Sequence, residues 1–436
     1  MQKKFRAICV LLLLMFASVV EATGSLVAPE GYSLEEMVIL SRHNIRAPLS
    51  GKDSELGKIT PHAWYAWTSN PGELSLRGGV LETIMGQYFR KYLEAENFIP
   101  ENYIPKQGEV RFFTCSMQRT IATAQYFSSG MLPVANVRIE HRFAPSKMDP
   151  IFTPQLTFIS NAYRAQAMKE VVTMGGKEGL QGIGKNLNRP FRLMEKVLDV
   201  KDSVAAKNGF TGFKDDDLEV VLQKDAEPTM KGSLQLANIT SDALTLQYYE
   251  EENEQKAGFG RTLSPKEWAE ISSIKDVYGD VLFTAPLIAV NAAHPLLQVM
   301  HDELENPVRK FTFLCGHDSN LSSVLAALEV EDYSLPNTIE TKTPIGAKFV
   351  IEKWQGKDGD DYASLHMVYQ STKQLRTREQ LDVQHPPMIY TLHLKGLQTN
   401  TDGLYKYHDV EQRFVQAIKA YDNLPQDKRE EEKQTA

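Results

Sequence analysis

A chain of 436 residues with 42% hydrophobic and 24% charged content can bury a large core, and its three cysteines exclude a disulfide-framed miniprotein. Its 56 acidic side chains outnumber its 48 basic ones, for a net charge of −8, which argues against nucleic acid or an anionic membrane as partner. Any phosphate-binding site in such a chain must be a local concentration of arginine held against an unfavourable overall field.

Residues 1–22 have the build of an export signal: Lys3, Lys4 and Arg6 precede an apolar run over 7–20, and the small Ala22 follows. The run falls short of the roughly 20 apolar residues that a membrane-spanning helix needs. Cys9 lacks the small-residue context of a lipid-modified cysteine. We therefore expect cleavage near Ala22 and a periplasmic or secreted chain of about 414 residues with no stable membrane anchor. Cleavage leaves 45 basic against 55 acidic residues and two cysteines, Cys115 and Cys315, bonded or free.

The apolar run 37–40, followed at once by Ser41-Arg42-His43, predicts a short buried strand that delivers polar residues at its end. A helix follows over 76–95, where Leu81, Met85, Phe89 and Tyr92 recur at three-to-four spacing. Residues 110–115 read as a second strand and 118–127 as a second helix. From 150 to 282 the chain is richer in charged and polar helical segments, such as 162–174 and 190–200, and lacks apolar strand runs. It reads as a mainly helical cap over the sheet edge. Within it, 179–185 matches Gly-x-x-x-x-Gly-Lys, but Asn186 replaces the hydroxyl that would hold magnesium and no buried strand precedes it, so this stretch reads as a loop.

Residues 311–315, closed by Gly316, predict a third strand, and 319–328 a third helix with Ser319 or Asn320 as its cap. Strand-like segments follow at 348–354, 363–370 and 389–394, then a helix near 410–421. The tail 426–436 is too polar to pack and reads as disordered. Three times the order is strand, polar cluster, helix, which is the mark of an α/β sheet working at the carboxyl ends of its strands. The expected organisation is a core from 23–149 and 283–425, with the cap at 150–282.

The segment Arg42-His43-Asn44-Ile45-Arg46-Ala47-Pro48 sets two guanidinium groups around one imidazole just after a buried strand. Its pattern Arg-His-x-x-Arg-x-Pro should arise by chance in roughly one protein in several hundred to a thousand. A histidine that attacks phosphorus needs an unprotonated nitrogen, and arginines to bind the equatorial oxygens. Arg119 sits at the start of the second helix, where free amide groups also favour an anion. Departure of an alkoxide needs a proton. Of the three His-Asp pairs, only His317-Asp318 follows a buried strand; His301-Asp302 continues a helix, and Asp409 of His408-Asp409 reads as a helix cap. Asp318 is then the proton donor and His317 a further phosphate ligand. The histidines show no paired metal-ligand spacing, so no metal centre is expected.

Arg42-His43-x-x-Arg46-x-Pro48, Arg119-Thr120 and Gly316-His317-Asp318 together resemble the histidine acid phosphatase family, branch 2 of the histidine phosphatase superfamily. Leu74-Ser75-x-x-Gly78, Met148-Asp149-Pro150, Thr343-Pro344-Ile345-Gly346 and Val368-Tyr369 with Leu375-Arg376 look like further landmarks. Within the family, Asn44, Gly316-His317-Asp318-Ser319-Asn320 and Thr245-Leu246-Gln247-Tyr248-Tyr249-Glu250 resemble the periplasmic glucose-1-phosphatases. The resemblance implies a three-layer α/β/α core with a mainly parallel sheet, like that of phosphoglycerate mutase, plus a mostly helical cap.

It also implies His43 as the phosphorylated nucleophile, Arg42, Arg46, Arg119 and His317 as phosphate ligands, and Asp318 as general acid. Asn44 would alter pocket shape, and Glu250 would face the pocket beside Tyr248 and Tyr249, repelling substrates with extra phosphates. The expected substrate is a small phosphomonoester such as glucose 1-phosphate. The alternatives are an inositol-polyphosphate phosphatase and a non-catalytic exported binding protein. A homodimer is left open.

Overall fold

The computed structural model describes residues 30–51 and 53–427. The export signal read in 1–22 lies outside them, as do residues 428–436 of the polar tail. The chain opens with β1 (Tyr32–Arg42), the one-turn α1 (Glu55–Lys58) and α2 (Leu76–Ala95). Next come β2 (Val110–Thr114), α3 (Gln118–Met131) and the short edge strand β3 (Ile139–Glu140). A mostly helical stretch follows: α4 (Asn161–Thr173), α5 (Leu180–Leu198), α6 (Val204–Lys207), the hairpin of β4 (Glu219–Val221) and β5 (Thr229–Lys231), α7 (Ser233–Glu250), α8 (Glu254–Ala257) and α9 (Pro265–Phe283). The chain returns through α10 (Pro286–Leu304) to β6 (Phe311–Gly316) and α11 (Asp318–Ala327). It ends with β7 (Lys348–Gly356), β8 (Asp361–Tyr369), α12 (Thr372–Thr377), β9 (Met388–Thr391), β10 (Tyr405–Lys406) and α13 (Tyr407–Ala420).

The main sheet runs in the order β10-β8-β7-β1-β6-β2-β3, with β9 on the outside of β8. Its centre, β1-β6-β2-β3, is parallel, and β7 through β10 pair antiparallel on one flank. From Met37 onward β1 is buried on both faces, which is why this stretch reads as an unbroken apolar run. Its first residues pair with β7 through a bulge at Leu34/Glu36, so the strand is longer than the apolar signal alone.

Alternation of side chains across the sheet supplies two cores. Met37, Ile39, Phe112 and Phe313 face α2 and α3, where Phe127 stacks on Phe313 with centroids 4.4 Å apart. Val38, Leu40, Phe113 and Leu314 face α10, α11 and α13 through Leu296, Leu321 and Phe414. Each such side chain contributes about 1.5–3 kcal/mol by leaving water, so the three α/β/α layers are held by ordinary apolar burial. Cys115 lies on the α10 side and Cys315 on the α2 side; both are free thiols.

The cap has a core of its own, in which Ile183, Leu187, Phe191 and Met194 of α5 meet Trp268 and Ile271 of α9. Several local expectations need correction. The stretch 179–185 is no loop: Gly179, at φ +59°, closes a turn, and Leu180 begins α5, whose apolar face needs Ile183 and Leu187. Pro190, expected near a helix start, lies inside that helix. The α11 cap is His317, because Asn320 accepts its backbone N–H at 2.9 Å and the helix begins at Asp318. Asp409 sits in the first turn of α13 behind the capping position Lys406, where its charge favours the helix dipole. Asp427, in the tail read as too polar to pack, accepts the N–H groups of Asn161 and Ala162 at the start of α4. No single helix among the described residues is long and apolar enough to cross a membrane.

Candidate active site

Arg42 and Gly316 are register partners at the ends of β1 and β6, so the residues that follow them emerge side by side. The His43 and His317 rings lie 5.6 Å apart at 69° to one another. The His43 N–H donates to Gly316 O at 3.1 Å, which ties the two strand ends together. Gly316 must be glycine: a Cβ there would stand 2.3 Å from Asn320 Oδ1, the acceptor that holds the His317 backbone. β2, next to β6, leads into α3 and places Arg119 in its first turn.

Arg42 is 1% exposed; its Nη1 donates to Glu340 Oε1 at 2.7 Å and Thr343 O at 2.6 Å, and its Nη2 lies 3.5 Å from Asp318 Oδ2. Arg46 donates to Asp242 Oδ2 at 2.9 Å, and Arg119 contacts Gly72 O at 3.4 Å. The Nε groups of all three arginines, with His317 Nε2, are buried without a partner. A buried unsatisfied donor costs about 1–3 kcal/mol, so a bound oxyanion would recover that cost several times over in one place.

His43 Nδ1 lies 2.9 Å from Asn44 O. A carbonyl can only accept, so Nδ1 carries the proton and Nε2 keeps its lone pair. Burial, then Arg119, Arg46, His317 and Arg42, hold the imidazole well below its usual range, so it stays neutral in acid. Burial alone would raise the Asp318 carboxyl, but Lys275, with its ammonium 2.6 Å away, and Arg42 outweigh it and hold the group well below the usual carboxyl range. The site thus brings together an unprotonated imidazole nitrogen, four side chains whose cationic or N–H groups could hold an anion, and a carboxyl group.

The four residues expected to shape specificity are not part of this wall. Tyr248 lies stacked between Trp268, at 4.2 Å, and the Arg376 guanidinium, at 4.1 Å, and Tyr249 is fully buried in the cap core. Glu250 accepts from Ser75 Oγ at 2.8 Å at the start of α2. On a helix three successive residues fan over most of the circumference, so 248–250 cannot share one pocket. Asn44 points behind the strand end, donating to Glu82 at 2.7 Å, and Glu82 in turn pairs with the buried Lys348 at 3.0 Å. Gly346, at φ +70°, leaves room for that amide, since a Cβ would come within 2.5 Å of Asn44 Nδ2. Its Oδ1 accepts the Ile45 N–H at 2.8 Å, so both ends of the Asn44 amide are engaged behind the strand end.

Sequence reasoning missed the residues that line the opening. A cleft of about 250 Å³ reaches Arg46 and Asp318 between core and cap, and Glu227, Asp242, Lys275 and Tyr278 face it. Asp242 carried a signal: it is the lone charge in a neutral stretch from Thr240 to Tyr249. Glu227 and Lys275 carried none: Lys224 and Asp225 precede Glu227 and Asp276 follows Lys275, so each reads as one of several solvated charges on a polar cap segment. A larger cavity of about 640 Å³ lies alongside, past Asp280, Ser322 and Lys342, and none of the clustered histidines and arginines lines it.

The family profile described as histidine phosphatase superfamily (branch 2) matches residues 33–370. The chain is 35% identical over 410 residues to the glucose-1-phosphatase of Salmonella typhimurium, covering 92% of this chain and 96% of that one. It is 32% identical over 411 residues to the glucose-1-phosphatase of Providencia rettgeri, covering 93% and 96%. Among solved structures the apo phytase of Hafnia alvei superposes with a TM-score of 0.82 over 91% of this chain and 99% of that one, at 24% identity, which speaks for the fold.

Proposed function

Because this chain belongs to branch 2 of the histidine phosphatase superfamily, whose members are hydrolases of phosphomonoesters, we propose that it cleaves small sugar phosphates such as glucose 1-phosphate through a phosphohistidine at His43. The observation that carries the reading is the 3.5 Å approach of Arg42 Nη2 to Asp318 Oδ2. One guanidinium touches both the strand end that bears the nucleophile and the helix start that bears the acid.

Arg42, Arg46, Arg119 and His317 bind the equatorial oxygens, and arginine forks keep their charge in acid. His43 Nε2 forms a bond to phosphorus while the bond from phosphorus to the leaving oxygen breaks and Asp318 gives that oxygen its proton. Asp318, now a carboxylate, takes a proton from water as the water oxygen attacks phosphorus and the N–P bond breaks. Phosphate leaves and both groups are restored. The pattern of residues 1–22 supports a periplasmic or secreted location.

His43 is held neutral in acid, and Asp318 must be protonated to act. Its carboxyl is drawn down in the free enzyme, and the anionic oxygens of a bound phosphomonoester beside it favour the protonated form, so activity should belong to the acid range and decline as pH rises toward neutrality. Phosphate should be released from glucose 1-phosphate at pH about 4–6 with undiminished rate in excess chelator. A strict need for a divalent cation, or a rate that peaks above pH 7, would refute the reading.

A sugar phosphate is favoured over inositol hexakisphosphate by the wall of the cleft, where Glu227, Asp242, Asp276 and Asp280 stand against Lys275 and Lys342. Glu227 lines the same cleft as Arg46 and Asp318. Burial pushes its carboxyl up, with Asp318 adding to the rise and Arg119 opposing it, so its repulsion of further phosphates is strongest toward the upper end of the acid range, where the negative form is more populated. Glu227→Gln should raise turnover of inositol hexakisphosphate relative to glucose 1-phosphate by about 10-fold, the effect of roughly 1.4 kcal/mol of repulsion. Glu250→Gly, distant from the cleft, should leave that ratio unchanged; the opposite ranking in a two-substrate assay would overturn the assignment.

A further inference from the structure

We propose that Lys275, on the cap helix α9, is a positioning residue for the general acid: it grips Asp318 in the free enzyme and passes to Asp242 and Glu340 when a phosphomonoester enters. The proposal rests on the reading of Asp318 as proton donor. Lys275 Nζ lies 2.6 Å from Asp318 Oδ2, 3.5 Å from Glu340 Oε1 and 3.7 Å from Asp242 Oδ1, so three carboxylates share one ammonium.

The groups around Asp318 come from every neighbouring element: Arg42 and His43 at the end of β1, Arg119 on α3, Glu227 beyond β4, Asp242 on α7, Lys275 and Tyr278 on α9, and His317 at its own helix start. Among the described residues two cations come within ion-pair reach of it, Arg42 and Lys275. Arg42 cannot move, since Glu340 and Thr343 O fix its fork. Lys275 can. A flexible four-carbon stem with three donors needs no backbone change to trade one carboxylate for another, and Asp276 pins the backbone beside it through Thr341 N and Oγ1 at 3.0 and 2.9 Å.

The chemistry needs such a trade. An ammonium at 2.6 Å holds Asp318 as carboxylate, which cannot protonate a leaving oxygen. The anionic oxygens of an incoming phosphate, bound between the arginines, favour a protonated Asp318 and draw Lys275 off it. Once the alkoxide has taken the proton, Asp318 is left as carboxylate, and return of Lys275 favours the form that accepts a proton from water.

The test compares kcat/KM pH profiles for glucose 1-phosphate, whose alkoxide must be protonated, and p-nitrophenyl phosphate, whose nitrophenolate leaves without help. In Lys275→Met the basic limb for the sugar phosphate should move up by about one pH unit or more, because removal of an adjacent cation raises a carboxyl pKa. The limb for p-nitrophenyl phosphate should stay in place, and Lys275→Arg should restore the parent profile. Limbs that differ between substrates in the parent enzyme and remain where they are in Lys275→Met would overturn the role of Lys275 alone. Limbs that coincide in the parent would overturn the acid assignment and this role with it. Should Lys275→Met melt at a lower temperature, Lys275→Gln removes the same charge with a polar side chain and is read by the same criteria.

Discussion

His43→Ala should lower kcat for any phosphomonoester by about four orders of magnitude or more, to the limit of detection, with no loss of fold. The nucleophile cannot be replaced by a neighbour, because the second imidazole, His317, belongs to a different strand end and its ring centroid stands 5.6 Å away. A residue that forms a covalent intermediate contributes to both halves of the reaction, so its removal cannot be rescued by a better leaving group. Two measurements check this. Acid quench during turnover should trap the phosphoryl group on His43 of the parent enzyme and on no residue of the variant, and the melting temperature should be within a few degrees of the parent. Trapped phosphate on any other side chain would refute the scheme.

Asp318→Asn should lower kcat/KM for glucose 1-phosphate by up to about 10⁴-fold, the upper range for removal of a general acid. The loss for p-nitrophenyl phosphate should be far smaller, since nitrophenolate departs unprotonated. Hydrolysis of the phosphoenzyme also loses its base, so nitrophenolate should appear in a burst equal to the enzyme concentration and then slowly. The substitution removes the charge that faces Lys275, but that ammonium keeps Glu340 at 3.5 Å and Asp242 at 3.7 Å, so the fold should hold. Equal losses with both substrates, and no burst, would show that the carboxylate only shapes the pocket.

The core was legible because its strands are buried on both faces and end abruptly in polar residues. Val38 to Leu40 and Phe311 to Cys315 have no exposed side, so their apolar runs are continuous, and Arg42, His43, His317 and Asp318 stand where those runs stop. Adjacent parallel strands in register then bring together residues some 275 positions apart without any further information. The cap was not legible in this way. Its helices carry charges on many sides, and which of them face the cleft depends on how α7 and α9 lie across the strand ends. Lys275 and Glu227 look like solvated charges until that packing is known, whereas Tyr248 and Glu250, adjacent to aromatic neighbours in sequence, turn toward the cap core and toward Ser75. Asn44 is placed by a related rule: the residue next to His43 in sequence turns its side chain away from it, here toward the buried Glu82–Lys348 pair.

The two free thiols stand on opposite faces of the main sheet, Cys115 packed toward α10 and Cys315 toward α2, and both are fully buried. Oxidising them to each other would require one side chain to pass through the hydrogen-bonded ladder of β2 and β6. Assembly of the core thus calls for no sulfur oxidant or isomerase, and the folded state should be indifferent to the redox poise of whichever compartment holds it.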